Sequence, residues 1–127
     1  MKKSNIYFLL FAFGLLLNAC TYDFIVKEEL PQVDHTVSII FSSQIAPIFT
    51  NSQYQCTSCH KPGGQSPDFT VANVYNSLIT MNLIDTTAPA SSKVLTFPGS
   101  ASHSWAKLSA SESQLILTLI QQGAKNN

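Results

Sequence analysis

The sequence predicts an all-α domain of about three main helices. Two observations carry this: three segments repeat apolar residues at helical spacing, and no segment alternates apolar and polar residues with comparable strength. A third sets the scale. The chain has 127 residues, and once its leading apolar segment is set aside it is long enough for one compact domain and a tether.

That leading segment reads as an export signal. Lys2 and Lys3 form a short basic region, and an unbroken apolar run follows from Ile6 to Leu17. The run falls short of the roughly 20 residues that span a bilayer, but it suits the apolar part of a secretory signal. It ends in Leu17-Asn18-Ala19-Cys20, which resembles a bacterial lipobox, where the Cys is lipidated and becomes the first mature residue. The alternatives are an ordinary signal peptide or a buried helix, with Cys20 incidental. The expected organisation is therefore residues 1–19 as lipoprotein signal, 20–37 as a membrane-proximal linker and 38–127 as the folded domain. In the linker, Asp23, Lys27, Glu28, Glu29, Pro31 and Asp34 follow no period, as suits a spacer. His35 reads there as a solvated histidine.

Mature residues 20–127 carry five Lys and seven Asp plus Glu, a net charge near minus two, and there is no Arg anywhere. That balance excludes a nucleic-acid binder that works through a basic patch and argues against strong long-range steering of a partner.

The first helix is expected over about Ser43 to Asn51. Phe41, Ile45, Ile48 and Phe49 share one face, Ser42 or Ser43 is the candidate N-cap, and Pro47 falls near the first turn. The second is expected over about Val71 to Met81, with Val71, Val74, Tyr75, Leu78 and Ile79 as its apolar face and Thr70 as N-cap. Residues 82–104 read as a long irregular loop rich in Pro, Gly and Ser, and a loop of that length in a small domain is usually functional. The third helix has the strongest signals. Ser109-Ala110-Ser111-Glu112 is a capping box, Leu115, Ile116, Leu119 and Ile120 form the stripe, and Gly123 suits the residue just past the end.

Between the first two helices lies Cys56-Thr57-Ser58-Cys59-His60. Cys-x-x-Cys-His is the attachment pattern for a c-type haem. Each thiol adds to one vinyl group at the ring edge, and the next residue, His60, is carried under the iron as a ligand. With Cys20 lipidated, both remaining cysteines lie in this motif and none is left for a separate disulfide. Lys61-Pro62-Gly63-Gly64-Gln65-Ser66-Pro67 then reads as a loop that lets the backbone approach the ring.

From Phe41 to Asn127 the chain resembles the small monohaem cytochrome c domains of bacterial lipoproteins, especially of the Bacteroidetes type. Three stretches carry the resemblance: Phe41 to Phe49 leading into Cys56–His60; Ser66-Pro67-Asp68-Phe69-Thr70 followed by Tyr75, Asn76, Ser77 and Leu78; and Leu108-Ser-Ala-Ser-Glu112 running to Gln122-Gly-Ala-Lys-Asn-Asn127. One departure is Leu119, where family members often carry Trp. The resemblance implies a cytochrome c-like fold, with the first and last helices packed through Phe41, Ile45 and Phe49 against Leu115, Leu119 and Ile120 around one covalently attached haem. It also implies that Pro67 offers its carbonyl to His60, although Pro67 could equally serve only to shape the loop.

For the sixth iron ligand the candidates are His103, Met81, Met1 and His35. Met1 leaves with the signal, and related domains place their distal ligand near His103, which is the favoured choice over Met81 or an open iron. Trp105 packs on the haem or closes the core. The expected function is that of an electron carrier rather than an enzyme. It would be anchored by lipid at the periplasmic or outer-membrane face and work between a redox-protein donor and acceptor. The competing class is an extracytoplasmic Cys-x-x-Cys thiol-redox or surface-binding lipoprotein without haem. Thiol oxidoreductases normally set this motif on a strand-helix fold, and no strand pattern precedes Cys56. A zinc site would need further ligands than the scattered histidines supply. A peroxidase would need an acid-base pair, whereas Glu112 is committed to its cap and Asp85 has no evident partner.

Overall fold

A computed structural model describes residues 33–34, 36–51 and 56–127. Cys20 and His35, and with them the signal and lipid-anchor assignments, lie outside the described residues. The described residues are helical, with no strand, and none of their helices is long and apolar enough to cross a membrane. Four α-helices follow in order: α1 (Ala46–Asn51), α2 (Val74–Thr80), α3 (Lys93–Thr96) and α4 (Ala110–Gln121). Single 3-10 turns sit at Cys56–Ser58, Pro89–Ser91 and Ala101–His103.

The first helix begins differently from expectation. A π-helical turn at Phe41–Ile45 runs into α1, and neither Ser42 nor Ser43 caps it. Pro47 explains the widened turn, because its ring crowds the carbonyl four residues back and it has no N–H to donate there. The cap is supplied from the far end of the chain. Phe41 N–H donates to Asn127 Oδ1 at 2.7 Å, Ser42 N–H to the Asn127 carbonyl at 3.0 Å, and Asn127 Nδ2 donates back to Ile39 O at 3.2 Å. Gln122 closes the same seam. Its Oε1 accepts from Ile39 N–H at 2.8 Å, and its Nε2 donates to Val37 O at 2.9 Å.

The second helix starts three residues later than its apolar pattern suggests. Thr70 does not cap it, because Asp68 Oδ1 takes both the Thr70 N–H at 2.9 Å and its hydroxyl at 2.7 Å. This Asx turn competes with the helix for residues 68–73, and Val71 is left 69% exposed. The 82–104 stretch is less irregular than expected. Ser92 is buried and its Oγ accepts from Asp85 N–H at 2.9 Å, Val94 N–H donates to Leu83 O at 3.0 Å, and α3 is thereby fixed against residues 83–85.

Helix α4 matches its sequence signals. Ser109 and Glu112 form both halves of the capping box, and Gly123 takes φ +91° just past Gln122, where only glycine is unstrained. The core joins the first and last helices through Phe41, Ile45, Phe49, Ile116, Leu119 and Ile120, with Val74 and Leu78 of α2. The Phe41 and Tyr75 rings meet edge-on at 5.0 Å, and the Tyr75 hydroxyl donates to Ala124 O at 3.0 Å.

One buried group breaks the pattern. Thr118 is wholly buried, and its hydroxyl has no hydrogen-bond partner. Thr118→Val keeps the shape and removes the unpaired oxygen. It is expected to raise stability by about 1 kcal/mol, read as an increase in Tm of several degrees. A lowered Tm would mean that the hydroxyl is satisfied in solution.

Candidate functional site

The motif residues are gathered by one tight turn. Cys56–Ser58 is a single 3-10 turn, with Cys59 N–H donating to Cys56 O at 3.2 Å and His60 N–H to the same oxygen at 2.9 Å. In a 3-10 turn the residues at i and i+3 lie one above the other, so Cys56 and Cys59 share a side. Cys56 is half-buried and Cys59 exposed.

The following loop folds back on this turn. Gln65 N–H donates to Cys59 O at 2.8 Å, Gly64 N–H to Lys61 O at 2.9 Å, and Phe69 N–H to His60 O at 3.0 Å. Gly64 lies so close to the Cys59 carbonyl that a Cβ would overlap it. Gly64→Ala must push that backbone aside. The expected cost is about 1–3 kcal/mol, seen as a lower Tm, and an unchanged Tm would show that the loop yields freely.

His60 is oriented by its neighbours. Its Nδ1 lies 3.1 Å from the Pro67 carbonyl, so the neutral ring donates Nδ1–H there and keeps the Nε2 lone pair for a metal. The Phe69 ring, 5.1 Å from His60 and 4.9 Å from Phe49, ties the imidazole to the apolar core. Asp68, one residue before Phe69, has its carboxyl held below the usual carboxylate range, first by the Thr70 backbone N–H and then by its hydroxyl. Because this shift is downward, the turn gains from the ionised form above the ordinary carboxylate pKa. It loses that gain as the pH falls through the lowered value.

These groups face a cavity of about 550 Å³, within the roughly 300–1,000 Å³ range of ligand pockets. One wall is the 56–69 segment with Cys56, Cys59, His60, Pro67 and Phe69; the other is the 93–108 segment with Val94, Phe97, His103, Trp105 and Leu108; Phe49 and Leu83 add to the apolar surface. His103 is brought to this cavity by the Ala101–His103 turn, its N–H donating to Ser100 O at 2.9 Å and its carbonyl accepting from Gly99 and Ala106 N–H at 3.0 Å each. The His60 and His103 ring centres are 6.1 Å apart. His103 Nδ1 is buried without a hydrogen-bond partner.

Two of the alternatives left open by the sequence are placed here. Trp105 does not close the core: it is 55% exposed and stacks on His103 with ring centres 5.8 Å apart, while the Phe97 ring lies 4.7 Å from His103. Met81 is not in the cavity lining. It caps the end of α2 at 42% exposure, and its sulfur accepts from Ser66 Oγ at 3.6 Å. Among the described residues no three His, Cys, Asp or Glu side chains come together as a metal-ligand group. His60 and His103 are the two imidazoles in the cavity lining.

Sequence reasoning missed Phe97, whose place beside His103 depends on α3 and carries no local signal. It also missed Lys93 and Lys107, which line the cavity and read in sequence as ordinary surface residues. No family model, curated protein or solved structure matches this chain.

Proposed function

We propose that the chain is a membrane-tethered monohaem c-type cytochrome that passes single electrons between protein partners outside the cytoplasm. The observation that carries this reading is the placement of both motif thiols and His60 on one wall of a largely apolar cavity whose other wall presents His103.

The donor set fits a haem. The i, i+3 thiols on one side of a turn suit two thioether bonds to one ring edge. The apolar lining suits the body of a porphyrin. The His60 and His103 rings, with centres 6.1 Å apart, are close enough that both would hold one iron between them. The buried, unpartnered Nδ1 of His103 is a polar atom for which the protein supplies no neighbour.

Bound there, the haem supplies a one-electron change at iron. The residues do the rest. Cys56 and Cys59 hold the ring in register. Pro67 fixes the His60 tautomer and strengthens its basicity. Phe97 and Trp105 flank the His103 ring, and Val94 adds apolar surface to the same wall. The edge held by Cys59 would be the port for an electron, because Cys59 is exposed. Lipid at Cys20 would anchor the domain at the periplasmic or outer-membrane face.

The test is the mature protein made with haem-maturation machinery. Its denatured mass should include one porphyrin, and its pyridine haemochrome should report two thioethers. A bare polypeptide mass under those conditions, with reversible oxidation of the two thiols, would favour the thiol-redox alternative and end this reading.

A further inference from the structure

Lys93 and Lys107 both line the cavity, and among the described residues its lining contains no carboxylate. Two cations beside a largely apolar pocket select a ligand whose apolar body carries anionic groups. Both lysines are exposed, but the backbone at each is held. Lys93 sits between Ser92 and Val94, both buried and both hydrogen-bonded to the 83–85 segment. Lys107 sits between buried Ala106 and half-buried Leu108. Its side-chain stem runs past Gly99, within 3.5 Å of where a Cβ would stand there. Gly99 has φ +81°, so the turn that admits the Lys107 stem is one that other residues rarely adopt.

We infer that Lys93 and Lys107 form a carboxylate-binding edge of the cavity and receive the two propionates of the ring. This rests on the haem reading and deepens it. The thiols of the 56–69 wall would hold one edge of the porphyrin, and the lysines of the 93–108 wall would receive its carboxylates. Lys61 provides the control. It is exposed and adjoins His60 in sequence, yet it does not line the cavity.

The experiment compares Lys93→Gln, Lys107→Gln, the double variant and Lys61→Gln in the mature, haem-loaded protein. Covalent attachment is read first by denatured mass, and the propionate bending bands are then read by resonance Raman. All four variants should keep the attached haem. The propionate bands should shift in each cavity variant, shift furthest in the double variant, and stay in place in Lys61→Gln. A double Lys→Arg variant, which keeps both charges, should leave the bands near their original position and covers the case in which the Gln variants fold poorly. Bands unmoved in the double Gln variant, or moved equally in Lys61→Gln, overturn the inference while leaving the cytochrome reading intact. An unsubstituted protein with no attached haem overturns both, and that result is visible in the mass before any Raman band is examined.

Discussion

A Cys56→Ala, Cys59→Ala variant is expected to lose both the attached haem and the cooperative fold. Removing the thiols should by itself cost little, because Cys59 is exposed and Cys56 only half-buried. The expected loss comes from the space they would no longer fill. Closed core cavities cost about 24 cal/mol per Å³, and the space left here is about 550 Å³ with one side open to solvent. Total stabilities of small domains run to about 5–15 kcal/mol. Water entering the open side lowers that cost, but it wets Phe49, Phe69, Val94 and Leu108 in doing so, and the surrounding helices are short. Circular dichroism should therefore show reduced helix and a broad thermal transition. A sharp melt from a fully helical haem-free variant would show that the core of Ile45, Leu78, Ile116 and Leu119 stands alone.

Replacing His103 should change the optical spectrum more than any other single substitution outside the motif. His103→Ala removes the nitrogen donor on the wall facing His60, so the low-spin spectrum expected of a six-coordinate iron should disappear in both the ferric and ferrous states. Met81→Leu should leave both spectra as they were, since Met81 lies at the end of α2 outside the cavity lining. The midpoint potential gives an independent check. Two imidazole ligands favour a lower potential than a His/Met pair, and the Met81 variant should not move it. Spectra unchanged by His103→Ala would remove His103 from the iron and return the distal position to water or to a residue not yet considered.

The features legible before folding are those whose physics is local. The Cys56–His60 motif needs only two residues between its thiols. The Ser109–Glu112 box satisfies donors within one turn, and Gly123 ends α4 because of its own backbone freedom. The apolar stripes found Ile45, Phe49, Val74, Leu78, Ile116, Leu119 and Ile120 in the core, but Val71 and Ile79 of the second stripe are exposed, and the helix starts differ. At the second helix a competing side-chain bond decided the boundary: Asp68 captures Thr70 and delays α2. At the first, the decision was made at long range. The donors of Phe41 and Ser42 are satisfied by Asn127, 86 residues from Phe41 in sequence, and no spacing rule reaches that far.

The cavity belongs to the same class. Its two walls come from segments 56–69 and 93–108, and each is ordinary when read alone. The second reads locally as an irregular loop, and nothing local in it brings Phe97 and Trp105 beside His103 or Lys93 and Lys107 to the cavity lining. Local spacing encodes which bonds a turn or helix end can make with its neighbours in sequence. Which distant surfaces meet depends on how the helices pack, because burial rewards any complementary pairing and only the folded chain selects one.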